Sequence, residues 1–246
     1  MTPAIDELSL PPAARRVLDD FLEAAVQAFG SSLGSVVLFG SAAEGRLRPT
    51  SDVNVMLVLA CFEQSAADRI REAARVSQAA IQLRPMFLLK SELAAAAGAF
   101  ALKFSDVLHR HRVLYGDDPF ASVSISRQDR LAQLQQQLLN LTLRLRASYV
   151  ARSLRPEQLV EVIADTAGPL RSCAAALLEL EGQPAESPKQ ALERVAAALS
   201  EPGWQDLLAL VSRSRETRSV PAGAAGPALF RLMDLASRMR ARAETL

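Results

Sequence analysis

The chain has 246 residues, of which 50% are hydrophobic and 22% charged. This composition excludes a disordered or fibrous protein and allows one large domain or two small ones. Its 28 lysines and arginines nearly balance its 27 aspartates and glutamates, which leaves a formal charge of +1. A charge so close to zero disfavours a protein held to nucleic acid by neutralising phosphates, so nucleic acid is not expected as a partner.

The sequence shows no feature of a secreted or membrane protein. Its first residues lack the basic and apolar regions of a signal peptide, and its most apolar stretch, residues 93–102, is too short to span a bilayer. Two cysteines, Cys61 and Cys173, have neither the number nor the spacing of a metal site or disulfide framework, which predicts two buried free thiols. We therefore expect a soluble, cytoplasmic protein without a membrane partner.

Residues 1–120 alternate helical and extended patterns. Apolar residues repeat every three or four positions after Pro11-Pro12 and stop at Gly30, which predicts a helix, and a second helix is predicted at 64–80. Runs rich in β-branched and aromatic residues predict four strands, at 35–39, 53–59, 85–89 and 102–108. The second run is apolar on both faces, which predicts a central strand. The fold class expected here is α+β, with helices around a small mixed sheet.

Residues 121–246 contain no strand pattern, and about five helices are predicted there. Two capping boxes, Ser126 with Asp129 and Ser187 with Gln190, mark helix starts. Leucines three and four apart form a seam along the first of these helices: Leu131, Leu134, Leu138, Leu141 and Leu145. This seam is compatible with the core of an all-α helical bundle and with a homodimer interface.

One segment, residues 36–59, combines the features of a phosphate site and a metal site. A strand ends at Gly40-Ser41, ten residues follow, and a second strand opens with Asp52-Val53-Asn54. Gly40 lets a phosphate approach the backbone, and Ser41 can donate its hydroxyl and N–H at the start of a short helix. Asp52 and Asn54 share one face of their strand, where a pair of carboxylates would hold a divalent metal against a triphosphate.

The order of these features resembles the motif of the nucleotidyltransferase superfamily, which has a polymerase-β-like fold. In that family a hydrophobic strand leads into Gly-Ser, a spacer of similar length follows, and the next strand carries Asp-x-Asp or Asp-x-Glu. Gly45 within the spacer matches as well. Residues 111–119 resemble the exit from this domain in bacterial antibiotic nucleotidyltransferases, where a helical bundle commonly follows.

The resemblance implies a nucleotidyltransferase-like domain at 1–120 and a helical bundle domain at 121–246. It implies a nucleoside triphosphate as ligand, Mg²⁺ as cofactor held by Asp52, and catalytic positions at Asp52 and Asn54. Arg46, Arg48 and Arg84 can form a basic lip for phosphates around the turn, with solvated charge as the alternative. The candidate nucleotide-binding residues are Gly40, Ser41, Gly45, Arg46 and Arg48.

The sequence departs from the family motif at the metal ligands. Asn54 stands where the family has its second carboxylate, and its neutral oxygen supplies no charge to hold a metal. The family's third carboxylate lies on a later strand, but residues 81–89 contain no acid and include Arg84, which would repel a metal. Asp106 is the nearest later acid. We therefore expect weak Mg²⁺ binding and very slow or absent transfer.

Three functions are compatible with these residues. The missing carboxylates favour a degenerate nucleotidyltransferase, a pseudoenzyme that acts as a nucleotide-binding or regulatory module. The second function is an active Mg²⁺-dependent enzyme that transfers a nucleoside monophosphate to a hydroxyl of a small-molecule or protein acceptor. The third is an antitoxin-like interaction partner of another protein.

Overall fold

The computed structural model describes residues 10–45, 52–199 and 202–246. The chain divides into two compact units, Met1–Ile125 and Ser126–Leu246. The first contains a sheet with helices and the second is helical, so the predicted fold class is confirmed. Within the described ranges, no helix combines the length and the apolar character that a membrane span requires.

The first unit is built around a mixed sheet. Its strands, in the part of the unit that is described, are β1 (Leu33–Phe39), β2 (Val53–Leu59), β3 (Leu83–Leu89) and β4 (His111–Gly116). The strand order is β3-β2-β1-β4, with β2 parallel to β3 and the other neighbours antiparallel. The strand predicted to be central, β2, therefore has a partner on each side, and β3 and β4 are the edges.

Helices cover both faces of this sheet. The helices of the unit are α1 (Pro12–Phe29), α2 (Gln64–Ile81), α3 (Leu93–Ala99) and α4 (Ala101–His109). Because side chains alternate along a strand, Leu38 and Val55 face the core formed with α1 and α2, whereas Val37 and Met56 face the core formed with α3 and α4. Two separate apolar cores thus fix the sheet from either side.

The prediction of a strand at 102–108 is wrong, because this segment is part of the helix α4. Its buried residues follow helical spacing rather than alternation: Ala101, Phe104, Ser105 and Val107. Phe104 and Val107 lie on the same side of the helix and pack into the core with α3. The fourth strand instead begins at His111 and pairs with β1.

The two cysteines lie in different environments, and both are free. Cys173 is buried as predicted, and burial raises the pKa of its thiol to about 12, so it stays protonated. The prediction of a buried thiol is wrong for Cys61, which is exposed. Cys61 lies in the connection between the end of β2 at Leu59 and the start of α2 at Gln64, where the chain is exposed.

The second unit is a bundle of helices. They are α5 (Arg127–Arg152), α6 (Pro156–Leu180), α7 (Pro188–Ala198), α8 (Trp204–Thr217) and α9 (Ala225–Ala243). Helix α5 packs against α6 and α9, and most of the leucine seam is buried there: Leu134, Leu138, Leu141 and Leu145. The seam therefore contributes to the core of the bundle within one chain.

Replacing Ser126 with alanine should lower the free energy of unfolding by about 1 kcal/mol, because it removes the N-cap of α5. The Ser126 hydroxyl oxygen accepts the backbone N–H of Asp129 at 3.0 Å, as the capping box predicts. Urea denaturation followed by circular dichroism measures the change. Ser153→Ala at the other end of α5 is the control, and it should alter stability by less than about 0.5 kcal/mol. Equal losses from the two substitutions would contradict the assigned cap.

Candidate functional site

The Gly-Ser turn and the predicted ligand strand meet at one end of the sheet. Phe39, the last residue of β1, pairs with Asn54 of β2, and Asn54 pairs with Arg84 of β3. Directly paired residues project to the same face of a sheet. Phe39, Asn54 and Arg84 therefore form one row across three strands, on the face that α3 and α4 cover. We call these three residues the end row.

The turn after β1 lies against this row. Residues Gly40–Ala42 form a single 3₁₀ turn, in which Gly40 has φ of 76°, a left-handed conformation that glycine adopts at little cost. A Cβ placed on Gly40 would lie 3.7 Å from Nδ2 of Asn54, so the glycine backbone and the Asn54 amide are close. Half-buried Ser41 occupies the middle of the turn. A turn this short aligns few peptide dipoles, so side-chain charge has to supply most of the attraction for an anion.

The segment that follows the turn is anchored to α4. Gly45 donates its N–H to the carbonyl of Ala42 at 3.2 Å, and Arg110, just beyond α4, donates to a carboxylate oxygen of Glu44 at 3.0 Å. Partial burial disfavours the charged form of Arg110, but ion pairs with Asp106 and Glu44 outweigh it and raise its pKa.

The structure describes some of the charged residues that the sequence singled out around the turn, and not others. Asp106, the nearest later acid, lies on α4 and is engaged by Arg110. Arg46 and Arg48, two of the three arginines of the predicted basic lip, lie outside the described residues. The third, Arg84, lies on β3. Other charged residues at this end are Asp52, just before β2, and the group of Glu44, Asp106 and Arg110.

An exposed ion pair, and not a cluster of carboxylates, lies at the end row. Nε of Arg84 lies 3.4 Å from Oδ1 of Asp52, and the two side chains are 56% and 44% exposed. An exposed pair of this kind contributes about 0–1 kcal/mol. The register of β2 and β3 places Arg84 directly beside Asn54 on the same face of the sheet. A third carboxylate would come from this position of β3, and a guanidinium group occupies it.

A further cation, Lys103, lies beside the end row, and it is not among the candidate residues predicted from the sequence. Its Nζ lies 5.6 Å from the centroid of the Phe39 ring, and desolvation by neighbouring protein atoms lowers its pKa. If 102–108 is interpreted as a strand, Lys103 is simply a polar residue in an alternating polar and apolar pattern, and nothing marks it as part of a site. The helical spacing of the buried residues in α4 is the signal that could have directed attention to it, because that spacing fixes which side chains of α4 approach the sheet.

Neither a protein-family model nor a curated protein sequence matches this chain. A solved structure does: the crystal structure of the spectinomycin adenyltransferase AAD(9) from Enterococcus faecialis with ATP and spectinomycin. The match has a TM-score of 0.65 at 11% sequence identity, and it covers 90% of this chain and 98% of that chain. This chain has a nucleotidyltransferase-like fold. The resemblance seen in residues 36–59 is thus confirmed at the level of the fold.

The residues at this end of the nucleotidyltransferase-like fold do not fit a divalent metal. No group of three or more His, Cys, Asp or Glu side chains suited to a metal occurs among the residues that the structure describes. Asp52 faces a guanidinium, and Asn54 offers one neutral oxygen. Mg²⁺ takes octahedral oxygen coordination anchored by carboxylates, whereas Arg84 adds positive charge.

Proposed function

We propose that this chain binds a nucleoside triphosphate at the end row and does not transfer its nucleotide. The proposal rests above all on one observation, the ion pair of Arg84 with Asp52 beside Asn54. It is supported by the shared fold with an adenyltransferase whose structure was solved with ATP. Gly40 and Ser41 offer backbone and hydroxyl groups to phosphate next to this row, with Gly45 closing the turn that follows.

Metal-assisted transfer would need charge that this site lacks. In such reactions metal ions activate the attacking hydroxyl and offset the charge that develops on the leaving pyrophosphate. Removing a single electrostatic stabiliser of this kind costs on the order of 100-fold in rate. Asn54 and Arg84 leave Asp52 as the one carboxylate on the described part of this sheet face, so phosphate binding and not transfer is the function that the residues favour.

Two assays on the purified full chain test this proposal. Calorimetry with ATP should give binding, and incubation with α-labelled ATP, Mg²⁺ and hydroxyl compounds, spectinomycin included, should give no labelled product. The contrary result would be a labelled product that Asp52→Asn abolishes, which would establish the active enzyme instead. Asp68→Asn, in an exposed ion pair of α2 with Arg71, is the matched control. Absence of ATP binding would also overturn the proposal.

A further inference from the structure

The charges at the end row are arranged to receive an anion. Asp52 carries one negative charge, whereas Arg84 and Lys103 carry two positive charges. The two cations come from different elements: Arg84, a member of the row, belongs to the edge strand β3, and Lys103 projects from α4 to the ring of Phe39. Neutral Asn54 lies between Phe39 and Arg84 in the row, with its amide near Gly40. Arg110 with its two partners, Asp106 and Glu44, adds one net negative charge at the same end of the unit. The attraction for phosphate therefore comes from the nearness of Arg84 and Lys103 and not from a net positive charge.

Arg84 can exchange its present partner for a phosphate. The pair with Asp52 is largely exposed and its nearest atoms are 3.4 Å apart, so it holds the Arg84 side chain only weakly. A triphosphate carries several negative charges and offers oxygens that a guanidinium binds two at a time. It therefore competes effectively with one exposed carboxylate.

Lys103 suits the same ligand for a different reason. Lys103 is exposed and therefore accessible to a ligand, yet desolvation by neighbouring protein atoms, with the Phe39 ring 5.6 Å from its Nζ, lowers the pKa of its ammonium group. In such a setting the effective dielectric constant is lower than in water, so attraction to a phosphate is stronger than at a fully exposed lysine.

We propose that Arg84 and Lys103 hold the phosphate chain directly, in the place of a divalent cation, so that nucleotide binding does not require Mg²⁺. This inference rests on the proposed nucleotide-binding function. It changes the role of Asp52: in a metal site that carboxylate holds the nucleotide through the metal, whereas here it competes with phosphate for Arg84. Asp52→Asn should therefore strengthen ATP binding by about two- to five-fold, the equivalent of one exposed ion pair.

The test is calorimetry of ATP with the full chain, once with EDTA and once with excess Mg²⁺. We expect binding with EDTA at least as tight as with Mg²⁺. Arg84→Ala and Lys103→Ala should each weaken it by about 10- to 100-fold, the effect of losing a hydrogen bond to a charged group, whereas Asp52→Asn should strengthen it.

Matched variants come from the other face of the sheet, where Arg71 and Asp68 of α2 form an exposed pair at 3.0 Å. Arg71→Ala and Asp68→Asn remove the same groups as Arg84→Ala and Asp52→Asn, and both should bind ATP as the unmodified chain does. Circular dichroism verifies that every variant is folded.

Three results would overturn the inference. Binding of ATP that requires Mg²⁺ and is lost in Asp52→Asn would refute it while leaving nucleotide binding intact. Metal-free binding that neither Arg84→Ala nor Lys103→Ala weakens would refute it as well. Absence of ATP binding under both conditions would refute this inference together with the proposed function.

Discussion

The double variant Asn54→Asp, Arg84→Glu should bind ATP only in the presence of Mg²⁺, in contrast to the unmodified chain. The two substitutions put carboxylates at two adjacent positions of the end row, next to Asp52 on the same face. Three carboxylates can bind a divalent cation, which in turn binds the triphosphate. Without the metal, the three carboxylates repel the triphosphate. Losing the Arg84 contact alone costs about 1.5–3 kcal/mol, and repulsion adds to this, so binding in EDTA should weaken by about 100-fold or more.

Calorimetry of ATP with EDTA and with Mg²⁺ measures this change of cation dependence. The single variant Asn54→Asp is the control, because Arg84 then pairs with the new carboxylate and no metal dependence should appear. A double variant that binds ATP equally well with and without Mg²⁺ would show that the end row does not contact phosphate.

Gly116→Ala should destabilise the first unit more than any other substitution predicted here. Gly116, the last residue of β4, has φ of 73° and pairs with Ser35 of β1. A Cβ there would overlap the carbonyl oxygen of Gly34 and lie 3.2 Å from Cα of Ser35. Both are backbone atoms, which cannot withdraw without breaking the β1–β4 pairing. We expect a loss of about 3 kcal/mol or more in the free energy of unfolding.

Urea denaturation of Gly116→Ala and Gly98→Ala gives the comparison. Gly98 lies inside α3, and a Cβ there would meet no atom within 4 Å. Alanine at that position should stabilise the protein by about 0.5–1 kcal/mol, because glycine is the poorer helix former. If Gly116→Ala unfolded at the same urea concentration as the unmodified chain, the tight approach of β4 to β1 would be wrong.

The parts of the fold that local pattern determines could be predicted from the sequence. Strands β1 and β2 are short apolar runs bounded by turns, and the cap of α5 at Ser126 depends on a hydrogen bond between residues three apart. Residues 102–108 could not be assigned this way, because apolar and polar residues there fit two periods over a short length. Packing of Phe104 and Val107 against the sheet selects the helix.

The geometry of the candidate site could be predicted where its residues are neighbours in sequence, whereas for Arg84 the family resemblance indicated only the region of the third carboxylate. The Gly40-Ser41 turn and the shared face of Asp52 and Asn54 follow from local geometry. The position of Arg84 beside Asn54 depends on the register of two parallel strands, and a shift of one residue would send Arg84 to the other face. The approach of Lys103 to Phe39 depends on how α4 docks. Both are consequences of tertiary packing, which a sequence pattern does not encode locally.

The end row begins at Phe39 in one apolar core and ends at the exposed Arg84, and this has an evolutionary consequence. Arg84 belongs to an edge strand and is more than half exposed, so its replacement removes no core contact and changes stability by about 0.5 kcal/mol or less. Selection for stable folding therefore places little constraint on the charge of the residue at this position. On the proposed function, two point mutations in the end row would therefore be enough to change ligand recognition from cation-free to cation-dependent, while the rest of the molecule stays as it is.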